Sequence, residues 1–175
     1  MTIETPRLIL REMTGDDYAA LYEVLGDSDI MRHYPYAFDE KRVRGWISRN
    51  IERYADFGFG LWAVTLRETG EMTGDCGVTM QSIDGVIRPE IGCHIAKRFQ
   101  RRGYATEAAR ACRDFVFEST LFRRVYSYMK AANAASRGVA VKNGMSHIGD
   151  FADGEGERSS VYCITREQWA LHCKG

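Results

Sequence analysis

The chain has 175 residues, 45% of them apolar and 27% charged, and Lys plus Arg equals Asp plus Glu at 24 each. This is the composition of one globular domain, 1–175, long enough to bury a sizeable core. The even charge argues against a nucleic-acid partner, which needs a basic surface excess. One local basic patch (Lys97, Arg98, Arg101, Arg102) suits a phosphate-bearing ligand instead. No apolar run approaches the ~18 residues of a membrane span, and the first residues are not those of a signal peptide. A cytoplasmic protein with no membrane partner is expected. The cysteines (Cys76, Cys93, Cys112, Cys163 and Cys173) form no CxxC pair and no zinc spacing with the histidines, so reduced thiols and no metal are expected.

The elements follow in order. Arg7 to Met13 alternates as a strand. Thr14 or Asp16 caps a helix with the stripe Tyr18, Leu21, Tyr22 and Leu25, ended by Gly26. Ser28 to Phe38 is aromatic and irregular. Asp39-Glu40 opens a second helix, Lys41 to about Asp56, with Val43, Trp46, Ile47, Ile51 and Tyr54 on its apolar face. Leu61–Leu66, Met72–Met80 and Ile87–Ala96 are strands joined by turns at Glu68-Thr-Gly70 and Asp84-Gly85, which predicts an antiparallel meander. Gly74 and Gly77 weaken the second strand or permit close backbone approach.

The third strand alternates, with Ile91, Cys93 and Ile95 on one face and Glu90, Gly92 and His94 on the other. From Ala105 the period becomes helical. Ala105, Ala108, Ala109, Cys112, Phe115 and Val116 share a stripe, opposite Glu107, Arg110, Arg113 and Asp114. Between them lies Gln100-Arg-Arg-Gly103-Tyr-Ala105. A helix start offers N–H groups without partners and a positive dipole end, and a glycine lets a phosphate approach. The loop is either an anion cradle suited to a pyrophosphate or a tight turn with solvated arginines.

Arg123 to Lys130 is a strand, so strand, helix and strand form a parallel crossover. A short helix follows, capped by Asn133 and stopped by Asn143-Gly144. Strands at Met145 to Gly149 and Ser159 to Thr165 flank a polar loop, Asp150 to Arg158. A last helix begins near Arg166 and includes Trp169.

Gln100-x-x-Gly103-x-Ala105 resembles motif A of the Gcn5-related N-acetyltransferase superfamily, in which this loop binds the pyrophosphate of acetyl-coenzyme A. The longer run Gly103-Tyr104-Ala105-Thr106-Glu-Ala, with the opening Thr5-Pro-Arg-Leu-Ile-Leu-Arg11, is similar to the ribosomal-protein N-acetyltransferase branch. Arg101 stands where that branch often has Gly. Asn133-x-x-Ser136 before Asn143-Gly144 resembles the family's second coenzyme element. There the Asn contacts the pantetheine arm, and the Ser or a nearby Tyr lies close to the sulfur. Met145 replaces the usual Phe.

The resemblance implies a single α+β domain of the acyl-CoA N-acyltransferase fold. Its sheet is mixed and mostly antiparallel, with about six to seven strands and about four helices. The anchor strand would splay from its neighbour and offer N–H groups from Cys93 to Ala96, Ile95 among them, to the thioester and pantetheine. The early helices would form a wall of the acceptor cleft, making Tyr34, Tyr36 and Trp46 either acceptor contacts or packing.

The implied reaction is direct acetyl transfer to a primary amine, with acetyl-CoA as co-substrate. The acceptor would be a protein N-terminus or, alternatively, a small-molecule amine such as an antibiotic, polyamine or amino acid. A domain that binds or senses acetyl-CoA without turnover is a further alternative, and a homodimer is common in such families. For the base, Glu90 comes first, since burial raises a carboxylate's pKa, or else it is ion-paired. His94 is second, with the best unperturbed pKa. Ser136, or one of Tyr126, Tyr128 and Tyr162, would donate to the leaving sulfur. A covalent acetyl-cysteine at Cys93 lacks a visible activating pair.

Overall fold

The computed structural model describes residues 1–152 and 156–172. Eight strands form one sheet in the order β1 (Thr2–Glu4), β2 (Leu8–Arg11), β3 (Leu61–Leu66), β4 (Met72–Ile83), β5 (Val86–Ile95), β6 (Arg124–Lys130), β8 (Arg158–Thr165), β7 (Ser146–Ala152). Every neighbouring pair is antiparallel except β5 and β6. Five α-helices accompany it: α1 (Tyr18–Leu25), α2 (Glu40–Phe57), α3 (Tyr104–Ser119), α4 (Ala134–Lys142) and α5 (Arg166–His172). The architecture is the expected α+β class with one strand more than the pattern predicts. The added strand, β1, is three residues long, too short for a period to register.

The central strands are buried on both faces, with a core on each side and a smaller cluster of Ile83, Tyr126, Val161 and Cys163. On one side Leu8, Leu10, Trp62, Val64, Cys76 and Ile91 pack against Ala108, Cys112 and Val116 of α3. On the other, Leu61 and Ala63 pack against Leu21, Leu25, Val43 and Ile47 of α1 and α2. Removing one such fully buried Leu would cost about 2–5 kcal/mol.

Three helix faces differ from the sequence reading. In α1 Val24 is buried and Tyr22 is exposed. In α2 the inward position is Asn50 rather than the exposed Ile51. Asn50 Nδ2 donates to Trp46 O at 2.9 Å, and its Oδ1 accepts the Leu61 N–H at 2.9 Å, so a polar residue ties α2 to the start of β3. In α3 Arg113 is buried, because its guanidinium donates to Asn143 O at 3.0 Å past the end of α4. Hydropathy alone misplaces a polar side chain that finds partners inside. The loop expected from 150 to 158 is also shorter. Residues 150–152 continue β7, Arg158 opens β8, and 153–155 lie outside the described residues.

Two strand features create the site. A Cβ on Gly74 would stand 2.0 Å from the His94 carbonyl oxygen, so β4 and β5 come together at a distance only glycine permits. On its other edge β5 pairs with β6 through one residue pair, Glu90 opposite Tyr126. The ladder stops for chemical reasons. Before the pair, Pro89 has no N–H to give, and after it the Ile91 carbonyl accepts the Ser127 hydroxyl at 2.6 Å. Beyond Glu90 the two strands are open to a ligand.

Candidate active site

The opening between β5 and β6 is the throat of a cleft of about 510 Å³. Its walls bring together Tyr34, Cys93, His94 and Ile95 with Gln100, Arg101 and Gly103 of the loop before α3. The start of α3 adds Tyr104, Ala105 and Thr106, and the start of α4 adds Asn133 and Ser136. Residues separated by about a hundred positions meet because the α3 crossover carries the chain from the end of β5 to β6 and α4.

One end of the cleft is made of backbone. Gly103 has φ +85°, a left-handed conformation that favours glycine. It caps α3, whose first turn leaves the N–H groups of Tyr104, Ala105 and Thr106 without partners in the helix. Gln100 Nε2 donates to Ile95 O at 2.8 Å and braces the loop against the strand end. Arg7 holds the other side. It donates to Glu107 Oε2 at 2.6 Å and to Arg102 O at 3.0 Å. Its backbone N–H also reaches Glu107 Oε1 at 2.9 Å.

The expected basic patch divides. Lys97 is paired with Asp27 and Asp29, and Arg98 with Glu23 and Glu71. Among the described residues Arg101 and Arg102 pair with no carboxylate. Arg101 lines the cleft, and the Arg102 guanidinium lies 6.0 Å from the Phe99 ring centre beside it. Two unneutralised guanidinium groups beside a helix start fit a diphosphate.

The throat offers two backbone donors rather than the expected run through Ala96. The Ala96 N–H donates to Thr73 O at 2.9 Å and is spent on β4. Strand alternation then turns the His94 N–H toward β4 as well, and those of Cys93 and Ile95 toward the opening. Near it, Asn133 Oδ1 accepts the Ser136 N–H at 3.1 Å, so the two α4 residues form one cap. None of Tyr126, Tyr128 and Tyr162 lines the cleft.

The other end is made of side chains. His94 Nδ1 lies 2.7 Å from Asp75 Oδ1, and its Nε2 lies 2.7 Å from the Tyr34 hydroxyl. The second Asp75 oxygen accepts the Trp46 indole N–H at 2.8 Å. Asp75 is fully buried, His94 is 7% exposed and Tyr34 is 45% exposed. The chain of contacts therefore runs from the interior to the cleft wall. Tyr34 lines the cleft, and burial, followed by the nearby Glu90 and Asp75, pushes its phenol well above the usual range.

Asp75 is absent from the sequence-level candidates. Its signal is an acidic residue inside an otherwise apolar and glycine-containing strand, where a charge needs a buried partner. Trp46 contacts Asp75 and the His94 ring rather than the cleft. Tyr36 lies outside, exposed, with the Arg42 guanidinium 4.4 Å from its ring centre. Neither of the two lines the cleft.

Glu90 sits at the vertex of the opening and does not line the cleft. Burial pushes its carboxyl up to about 8, against a weaker pull from the Tyr128 backbone N–H. At neutral pH it is a protonated acid. The Cys93 thiol is pushed well up by its contact with Cys76 and by burial, so it is not a ready nucleophile.

Residues 7–146 match the family described as acetyltransferase (GNAT) domain. YkkB of Bacillus subtilis is 37% identical over 82% of this chain and 84% of its own. The N-acetyltransferase YnaD of the same organism is 29% identical over 97% and 99%. Among solved structures, a GNAT-family acetyltransferase from Bacillus anthracis superposes with a TM-score of 0.83 at 25% identity, covering 95% of this chain and 99% of the other. RimL, a ribosomal L7/L12 α-N-protein acetyltransferase solved with coenzyme A, superposes at 0.77 and 20% identity over 94% and 98%, a likeness of fold. No helix among the described residues is long and apolar enough to cross a membrane. The open β5–β6 edge, the cradle before α3 and the match over residues 7–146 agree: the chain belongs to the GNAT family and is an N-acetyltransferase.

Proposed function

We propose that this enzyme transfers acetyl from acetyl-CoA directly to a primary amine that docks on the Tyr34–His94 side of the β5–β6 opening. The observation that carries the reading is the continuity of one cleft from the helix-start cradle to the acid–base side chains. Arg101, Arg102 and the first-turn N–H groups of α3 would hold the diphosphate of the coenzyme. Asn133 and Ser136 would meet its arm at the start of α4. When bound, acetyl-CoA supplies an acetyl thioester, a ready acyl donor.

The chain's own groups do the rest. The N–H groups of Cys93 and Ile95 face the position where carbonyl charge develops, and donors fixed in a backbone need no reorganisation. The amine must lose a proton to attack. His94 is the proton acceptor, because it lines the cleft while Glu90 sits behind it as a neutral acid. Ser136 is the donor nearest the coenzyme arm for the departing sulfur. Binding both substrates in one cleft supplies the orientation that a bimolecular reaction in water lacks.

A protein N-terminal amine is the leading acceptor. The Thr5-to-Arg11 and Gly103-to-Ala108 runs support it, as does the fold shared with an enzyme that acts on a ribosomal-protein N-terminus. The test is calorimetric titration of acetyl-CoA, followed by thiol release with a panel of peptides bearing free N-termini, a polyamine and free amino acids. Turnover with peptides and not with the small amines supports the reading. The reverse preference moves the acceptor to a small molecule, and absence of acetyl-CoA binding overturns the proposal.

A further inference from the structure

Resting on the acetyl-transfer reading, we propose that the acceptor amine passes its proton to the Tyr34 hydroxyl while Tyr34 passes its own to His94, with Asp75 and Trp46 as positioning residues. The chain of partners fixes the direction. Trp46 Nε1 can only donate, and it occupies Asp75 Oδ2 at 2.8 Å. Asp75 Oδ1 is then presented to His94 Nδ1 at 2.7 Å and accepts from it. A neutral imidazole protonated at Nδ1 carries its lone pair on Nε2. That lone pair lies 2.7 Å from the Tyr34 oxygen, so the phenolic proton points at His94. The remaining lone pairs of Tyr34 are left to accept from a group in the cleft.

Exposure selects Tyr34 as the point of contact. His94 is 7% exposed, whereas Tyr34 is 45% exposed and lines the cleft. The aromatic packing holds the geometry. Trp46 meets the His94 ring edge-on at 5.9 Å between centres, and Phe38 meets Trp46 edge-on at 5.5 Å. The other titratable groups acting on Tyr34 are Glu90 and Cys93 of β5 and Tyr128 of β6. Burial holds the Glu90 carboxyl up to about 8 and raises the Cys93 thiol, while the group in contact with His94 Nδ1 is Asp75, at 2.7 Å.

The step balances. The amine lone pair forms the bond to the acetyl carbon, the surplus proton on nitrogen moves to Tyr34 Oη, and the phenolic proton moves to His94 Nε2. Asp75 supports the imidazolium. As the C–S bond breaks and its electron pair leaves with sulfur, the proton held on His94 passes back through Tyr34 Oη to the thiolate by way of the Ser136 hydroxyl, which takes one proton as it gives one. Each turnover ends in the starting protonation state.

Two measurements test it. The first is the 15N spectrum of the imidazoles at neutral pH, with His94 assigned by its loss in His94→Gln. The expected signature is Nδ1–H with Nε2 accepting, and Tyr34→Phe moves the Nε2 resonance. An Nε2–H tautomer in the native protein overturns the proposal, whatever the activity. The second is steady-state kinetics with the acceptor that wins the panel. Tyr34→Phe keeps acetyl-CoA affinity and acceptor KM within about two-fold and lowers kcat about 100-fold. Trp46→Phe, which keeps the ring packing and removes only the N–H, lowers kcat about 10-fold at unchanged KM. Native kcat in Tyr34→Phe overturns the relay while leaving acetyl transfer standing. Failure of the native protein to bind acetyl-CoA overturns the wider reading, and the tautomer still decides the proton chain.

Discussion

On one side of the β5 opening the site is backbone, and on the other it is side chain. The loop before α3 combines a left-handed glycine, the N–H groups of a helix start and two arginines that pair with no carboxylate among the described residues, all within six consecutive positions. The acid–base end draws Tyr34 from an irregular segment, Trp46 from α2, Asp75 from β4 and His94 from β5. A backbone site depends on local conformation and tolerates changes in most side chains. A side-chain relay depends on four elements staying in register and tolerates almost none.

The largest expected effect strikes where both sides depend on one backbone contact. In Gly74→Ala the added Cβ stands 2.0 Å from the His94 carbonyl oxygen at a φ of +150°. Overpacking and backbone strain together cost about 4 kcal/mol. Urea denaturation should show that loss, with Asp75 and His94 no longer opposed. A native-like midpoint would mean that β4 and β5 tolerate more separation than the register requires.

Next is Glu90, the acid at the vertex. Its folded value of about 8 lies above the ordinary carboxylate value, so between the two the native state holds a proton that the unfolded state has lost. That contribution is complete below about pH 4.5 and disappears as pH rises through about 8. The native protein should therefore lose about 4 kcal/mol relative to Glu90→Gln between pH 5 and pH 9. Denaturation midpoints across that range check it. Parallel pH profiles for the two proteins would place the carboxyl in water.

Smaller effects separate the two halves of the basic patch. Arg101→Ala and Arg102→Ala should each weaken acetyl-CoA binding about 10-fold, and less at high salt. Lys97→Met should change that affinity by less than about two-fold, since Lys97 is bound to Asp27 and Asp29 on an exposed face. Equal losses at all three positions would mean that the patch acts through its summed field rather than through the cradle.

The two regions also differ in how far they could be read in advance. Gln100-x-x-Gly103-x-Ala105 lies on a predicted strand–loop–helix, and the structure places that loop where the spacing puts it, because the conformation of so short a segment is set by its own residues. The Leu61–Leu66 strand and the Asp84-Gly85 turn are legible for the same reason. Asp75 was not, since it becomes a partner of His94 only through the β4–β5 register. Trp46 and Tyr36 read alike as aromatic candidates, yet one supports Asp75 and the other stacks on Arg42 outside. Lys97 and Arg98 read like Arg101 and Arg102 until distant carboxylates neutralise them.

By itself, the sequence determined the meander, the crossover, the cradle and the helix caps, because each is specified by periodicity, glycine or a capping side chain within a few residues. Only the tertiary structure decided which carboxylate holds His94, which tyrosine reaches it, which arginines stay unpaired and which N–H groups of β5 remain free. Those outcomes depend on hydrogen-bond partners and burial supplied by elements up to 75 residues away. No local pattern encodes them.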